Sequence, residues 1–446
     1  MPETVRALAV GALLQIHQRQ GYSQLVLDNV LTRESLSPAD RALLSRLVYG
    51  VLERELTLDF LLAKCSSIKL SRLHPTVLEI LRVGAYQILF LEKVPDAAAV
   101  NEAVKIAKTK RQGQASGYIN AVLRALSRRK TALWEEVPEG DEGWSIRTSC
   151  PLPLLRLWRE AYGEQAARSL AECLNDVPPQ TLRVNTLKTT LSALAGELSK
   201  AGISFEIHPE LPDCLSLPSG TEWKKLAFLG EKCYYQDSAS QYCVMALCPQ
   251  PGDRVADVCA APGGKSFTAA QWMEDRGRIL SGDLYPEKCE TMERRARSLG
   301  ITCLQTAVRD AAQPCPEPLR GAFDRVLCDV PCSGLGAIRR KPEIRYKSLD
   351  PARELPALQY RILEQAAWMV RPGGILQYST CTLHPAENEQ ITARFLREHP
   401  EFSPRVLPLI GCFEKLSAAP SHEITLFPHI HGTDGFYIAG FYKRED

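Results

Sequence analysis

A chain of 446 residues exceeds the size at which one hydrophobic core keeps growing, so two or three domains are expected. Its 45% hydrophobic and 24% charged residues exclude a disordered chain, and a formal net charge of +2 excludes a basic field over the whole molecule, so nucleic-acid binding must rest on local patches. Fifteen cysteines, an odd number without a CxxC pair, argue against a disulfide framework and a structural zinc, and no apolar run reaches the ~18 residues that cross a membrane, which together predict a metal-free soluble protein of a reducing cytoplasm.

The first 130 residues read as helical almost throughout. Val5, Leu8, Ala12 and Ile16 form one stripe at helical spacing. Ser37-Pro38-Ala39-Asp40 is a helix start, with a capping serine, proline at the first helical position and an acid in the first turn. Further helices are predicted at about 76–89, 97–107 and 116–126. Glu102 is the only acid from Asn101 to Lys130, while Lys105, Lys108, Lys110, Arg111, Arg124, Arg128, Arg129 and Lys130 lie in the same span, a bias that suggests a phosphate-facing surface over a merely solvated one. Asp40-Arg41-Ala42 through Val48-Tyr49-Gly50-Val51, Asn101-Glu102-Ala103-Val104 and Tyr118 to Arg124 resemble the NusB-like RNA-binding helical domain, and the resemblance implies RNA contact.

Residues 131–150, rich in Glu, Gly and Pro without periodicity, read as a linker. Residues 151–233 read as a small mixed α/β subdomain, with strands at about 180–185 and 205–208. From 234 to the end strands and helices alternate, which predicts a Rossmann-like domain with a parallel, doubly wound sheet. Its strands are expected at 254–258, 278–282, 301–306, 325–329 and 374–379, with a last one at 437–442.

The loop after the first of these strands runs Cys259-Ala260-Ala261-Pro262-Gly263-Gly264-Lys265. Cys259 stands where a phosphate loop requires glycine, and the GxGxxG dinucleotide pattern is absent. Asp283 follows Gly264 by nineteen positions, close to the ~20 at which an acid reaches a ribose, and Asp310 falls after the third strand, where it can touch an adenine. A nucleoside cofactor without a phosphate requirement is S-adenosylmethionine. A lone Gly-Gly would be an ordinary tight turn; both acids at these spacings make the cofactor reading the stronger one.

Asp329-Val330-Pro331-Cys332 ends the fourth strand, where methyltransferases acting on exocyclic amines carry an aromatic in the last place. A thiol there points to carbon methylation. Carbon 5 of a pyrimidine becomes nucleophilic when a thiolate adds to carbon 6, and a base must later take the carbon 5 proton so that the thiol can leave. Asp329 is placed to hydrogen-bond the base edge, and Lys265 is a candidate to favour a thiolate. Cys332 and Cys381, each at a strand end, compete for the nucleophile, and spacing leaves the choice open. The other cysteines are small buried hydrophobes by default.

The run Asp257 to Lys265, the stretch Asp329 to Gly334 and Ser379-Thr380-Cys381-Thr382 resemble the motifs of the NOL1/NOP2/Sun family of RNA cytosine-C5 methyltransferases, and with the NusB-like start the resemblance spans nearly the whole chain. It implies Cys381 as nucleophile and Cys332 as an aid to product release, a cofactor and base site formed by residues 259–265, Asp283, Asp310 and Asp329, and small-subunit 16S rRNA, free or in an assembly particle, as substrate. A monomer is expected, and no DNA partner. Arg339, Arg340, Lys341, Arg345 and Lys347 beside the Pro-Cys loop suggest RNA backbone contact, and the target cytosine should be single-stranded or flipped out. His384-Pro385-Ala386-Glu387-Asn388-Glu389 also resembles the family, and a helix start that shapes the neighbouring loop is the preferred reading. The competing readings are a non-catalytic rRNA-binding assembly factor, C5 methylation of another RNA, and DNA cytosine methylation.

Overall fold

The computed structural model describes residues 3–19, 22–218, 220–221, 223–349, 354–408 and 421–445. The chain divides into two compact units, the first comprising residues 1–176 and 338–348 and the second the remainder.

In the first unit, helices Val5–Arg19, Pro38–Glu53, Pro75–Phe90, Asp96–Thr109 and Ser116–Glu135 surround one apolar core that includes Leu13, Leu47, Leu52, Leu81, Ile119 and Leu123. Ser37 caps its helix as expected, its hydroxyl accepting from the Asp40 amide at 3.2 Å. Residues 131–150 are not a linker: the last long helix runs on to Glu135, and Gly140–Thr148 is a further helix. The acids that gave this stretch its linker character lie around buried Leu133 and Ile146, and Gly143 is there for closeness, since a Cβ on it would stand 1.7 Å from the Pro138 carbonyl oxygen. Helices Leu152–Tyr162 and Glu164–Cys173, expected in the mixed subdomain, also belong to this unit.

A partly buried ionic group lies in the first unit. His17 bridges Glu55 and Glu79 at 3.0 Å each, and Arg82 pairs with Glu55, Glu79 and Asp59. Burial opposes the His17 charge, but the two carboxylates outweigh it and raise its pKa to about 10.

The second unit holds two sheets. Strands β1 (Gln180–Val184), β2 (Glu206–Ile207), β3 (Cys214–Leu217) and β4 (Cys233–Tyr235) form an antiparallel sheet in the order β2-β3-β1-β4, over a core of Leu182, Val184, Leu194, Leu198 and Leu215. The larger sheet contains β5 (Arg254–Asp257), β6 (Arg278–Asp283), β7 (Leu304–Val308), β8 (Phe323–Asp329), β9 (Val370–Thr380), β10 (Phe402–Pro404), β11 (Glu423–Leu426) and β12 (Phe436–Lys443). Its order is β10-β12-β9-β8-β5-β6-β7 with β11 on β12; β5 to β9 pair in parallel, and β12 runs antiparallel to β9. Alternate residues serve opposite faces: Val255 and Leu327 join one apolar cluster, Ala256 and Val326 the other. The chain leaves β5 toward β6 and β7, then returns to β8 on the other side. That reversal puts a ligand crevice at the carboxyl ends of β5 and β8.

Candidate active site

Six sequence-predicted features of the second unit converge on that crevice edge. The loop from Cys259 to Lys265 leaves β5 and enters helix Gly264–Trp272. Gly263 turns it with φ of 102°, and a Cβ at this position would lie 2.5 Å from the Phe267 ring, so glycine is required twice over. Burial and the surrounding carboxylates push the Cys259 thiol up, which keeps it neutral.

Asp283 ends β6, with Val308 of β7 as its register partner. Its Oδ1 accepts from the Tyr285 amide at 3.1 Å and lies 3.7 Å from the Lys288 ammonium. Asp310 is held two residues past β7, with Oδ1 accepting from the Ala312 amide at 2.9 Å and Oδ2 from Gln313 at 3.2 Å. The Ala312 bond, first among its neighbours, keeps this carboxyl below the usual carboxylate range. Leu284 and Val308 stand 52% and 57% exposed beside these acids, an apolar ledge that sequence reading missed because each residue alone looks like ordinary strand filling.

Asp329 and Ser379 are register partners on adjacent parallel strands. Asp329 Oδ1 accepts from the Ser379 hydroxyl at 2.9 Å, and Oδ2 accepts from the Lys265 ammonium at 2.5 Å. Lys265 also stands 5.3 Å from the centre of the Phe436 ring. Burial disfavours the Lys265 cation, but Asp329 outweighs this and holds its pKa above the ordinary lysine value. The lysine charge is therefore committed first to Asp329.

Three residues past Asp329 and two past Ser379 the two thiols meet. Cys332 Sγ and Cys381 Sγ are 3.2 Å apart, both half-buried. The Cys332 thiol is held well above its ordinary value, by its hydrogen bond with Cys381 first and by burial second.

Two fully buried residues, Glu387 and Asn388, sit behind the thiols, in the run read as a helix start. His384 caps a single turn there by accepting from the Ala386 amide, and helix Glu389–Glu398 follows. Glu387 and Asn388 also bond to both cysteine loops; their signal in the sequence is a polar run, directly after a strand-end cysteine, that resembles the family.

The basic residues lie in the first unit. Arg129 pairs with Glu136 and Lys130 with Asp96, whereas Arg128 makes no ion pair among the described residues. Arg339 and Arg345 are buried and Lys347 is exposed. Arg345 donates to the carbonyls of Glu53 and Leu174 at 2.9 and 3.0 Å and to Asn175 Oδ1 at 3.2 Å, so its donors serve the fold.

Three family profiles tile the chain: "NusB family" over residues 3–128, a "Methyltr_RsmF/B-like, ferredoxin-like domain" over 151–223, and "16S rRNA methyltransferase RsmB/F" over 244–442. The chain is 35% identical to the probable ribosomal RNA small subunit methyltransferase B of Bacillus subtilis, covering 99% of each, and 32% identical to ribosomal RNA small subunit methyltransferase B of Klebsiella pneumoniae, also over 99% of each. Among solved structures, PH0851 shares its fold with a TM-score of 0.83 at 24% identity over 99% of both chains.

Proposed function

Since the chain belongs to the RsmB/F family of 16S rRNA methyltransferases, we propose that it transfers a methyl group from S-adenosylmethionine to carbon 5 of a cytosine in 16S rRNA, with Cys381 as nucleophile. The observation that carries this reading is the pair of strand-end thiols 3.2 Å apart next to the Lys265–Asp329–Ser379 triad.

The crevice suits the cofactor. Tyr285 and Lys288 both approach Asp283 Oδ1, which leaves Oδ2 to accept from ribose hydroxyls, and exposed Leu284 and Val308 offer apolar faces to an adenine. Residues 259–265, with Asp310, complete the cradle. When bound, S-adenosylmethionine supplies the electrophilic methyl group that carbon 5 takes up.

The chain's own groups do the rest. The Cys381 thiolate adds to carbon 6 of the cytosine, forming an S–C bond and shifting an electron pair to carbon 5. Asp329, oriented by Ser379 and Lys265, bonds the base edge, and the Lys265 ammonium offsets negative charge reaching the ring. Once the Cys381 sulfur is bonded to carbon, the Cys332 thiol gives its proton to solvent and is left as a thiolate. Cys332 then takes the carbon 5 proton, the 5,6 double bond re-forms, and the S–C pair returns to Cys381.

Mapping 5-methylcytosine in 16S rRNA from cells with and without this protein tests the reading. One modified cytosine should disappear in its absence, and an unchanged map would overturn the assignment. Retained thiols and an intact cofactor loop disfavour a scaffold that has lost catalysis.

A further inference from the structure

Each thiol is the middle residue of a tripeptide whose two ends are both tied down. Around Cys381, the Thr380 hydroxyl donates to Asn388 Oδ1 at 2.6 Å, and Asn388 Nδ2 donates to the Thr382 carbonyl at 2.9 Å. One side chain thus brackets the nucleophile from both sides. Around Cys332, Glu387 accepts from the Ser333 amide at 2.9 Å and from the Ser333 hydroxyl at 2.6 Å. On the other side, Gln359 donates to the Pro331 carbonyl at 2.9 Å and to Glu387 at 2.8 Å. Ser333 and Thr382 hydroxyls meet at 2.7 Å, joining the two loops directly.

Glu387 and Asn388 are consecutive and wholly buried, and the Tyr378 hydroxyl donates to the Glu387 carbonyl at 2.6 Å, fixing their backbone to β9. A carboxylate buried this deeply is retained only where its hydrogen bonds are needed, because desolvating it is costly. We infer that Glu387-Asn388 is a two-residue clamp that sets the separation of the two thiols, Asn388 aiming Cys381 for attack and Glu387 holding Cys332 where it takes the carbon 5 proton. Both are positioning residues, acting through Thr380, Thr382, Pro331 and Ser333. Glu387 also adds, after the Cys381 hydrogen bond, burial and the Cys381 charge, to holding the Cys332 thiol above its ordinary value.

The inference rests on the proposed division of labour between the thiols, and its test separates the two. Full-length variants are given ordinary target RNA, where an adduct builds up only if release is slow, and RNA carrying 5-fluorocytosine, where the fluorine blocks release and the adduct reports attack by Cys381 alone. Glu387→Ala should raise the ratio of adduct to turnover on ordinary RNA while leaving trapping on fluorinated RNA near the parent rate. Asn388→Ala should slow trapping by about tenfold to a hundredfold, the loss expected for an ångström of misplacement, with KM for RNA unchanged. Ser333→Ala, which removes one hydroxyl and tolerates partial exposure, should shift the ratio in the Glu387→Ala direction more weakly, and it serves if the buried substitutions do not fold. Trapping and turnover falling in constant proportion, or neither changing, overturns the clamp. If Glu387→Ala slows trapping and Asn388→Ala slows release, the clamp stands and the assignment of thiol roles falls.

Discussion

Asp257 illustrates how a residue can carry chemistry that its motif does not announce. It lies at the end of β5, 1% exposed, with Oδ2 accepting from the Ser266 hydroxyl at 2.7 Å. Burial raises its pKa to about 7. An unfolded aspartate ionises near ~3.9, so the folded state binds the extra proton: its stabilising contribution is complete below pH ~4 and is lost as pH rises through 7, at up to about 1.4 kcal/mol per pH unit. Asp257→Asn should therefore lose less stability than the parent between about pH 5 and pH 8 in urea unfolding. Equal losses would mean that Asp257 is ionised throughout. The motif residues were legible because acids and thiols ending apolar strands are conspicuous in sequence. The roles of Ser379, Glu387 and Asn388 were not, although the residues lie in runs that stood out, because each role depends on partners that the fold brings alongside.

At the scale of elements, all five parallel strands were predicted, with β5, β6 and β8 within two residues of their observed bounds, whereas β9 begins four residues earlier than expected and β7 three residues later. Short β10 and β11 escaped notice because each is defined by its pairing with β12 more than by its own pattern. The linker expectation failed because polarity was read without regard to which face it occupied. Residues 338–348 show the same limit: they follow the Pro-Cys loop in sequence yet pack in the first unit, where Glu343 accepts from Ser23 Oγ at 2.8 Å and Arg345 from this segment serves distant acceptors. Removing the Arg345 donors leaves buried oxygens unsatisfied, so Arg345→Ala should destabilise the first unit by about 2–4 kcal/mol. Its thermal unfolding midpoint would show this; an unshifted midpoint would return Arg345 to the role of an RNA-facing cation.

For the molecule as a whole, a net charge of +2 means that RNA affinity must come from local surfaces. Replacing Arg128, Arg129 and Lys130 with glutamine should weaken RNA binding and flatten its dependence on salt, by about 0.7 in logarithmic slope for each single-strand phosphate that is no longer neutralised. Unchanged affinity across salt concentrations would mark the run as a solvated face whose charges are answered by Glu136 and Asp96. The central claim is that Cys381 begins the reaction and Cys332 ends it. Denaturing gels of the protein incubated with target RNA and S-adenosylmethionine test it directly: Cys381→Ala should abolish both turnover and the covalent band, and Cys332→Ala should abolish turnover while the band accumulates. The reverse pattern, with the band lost in Cys332→Ala and accumulating in Cys381→Ala, would contradict it.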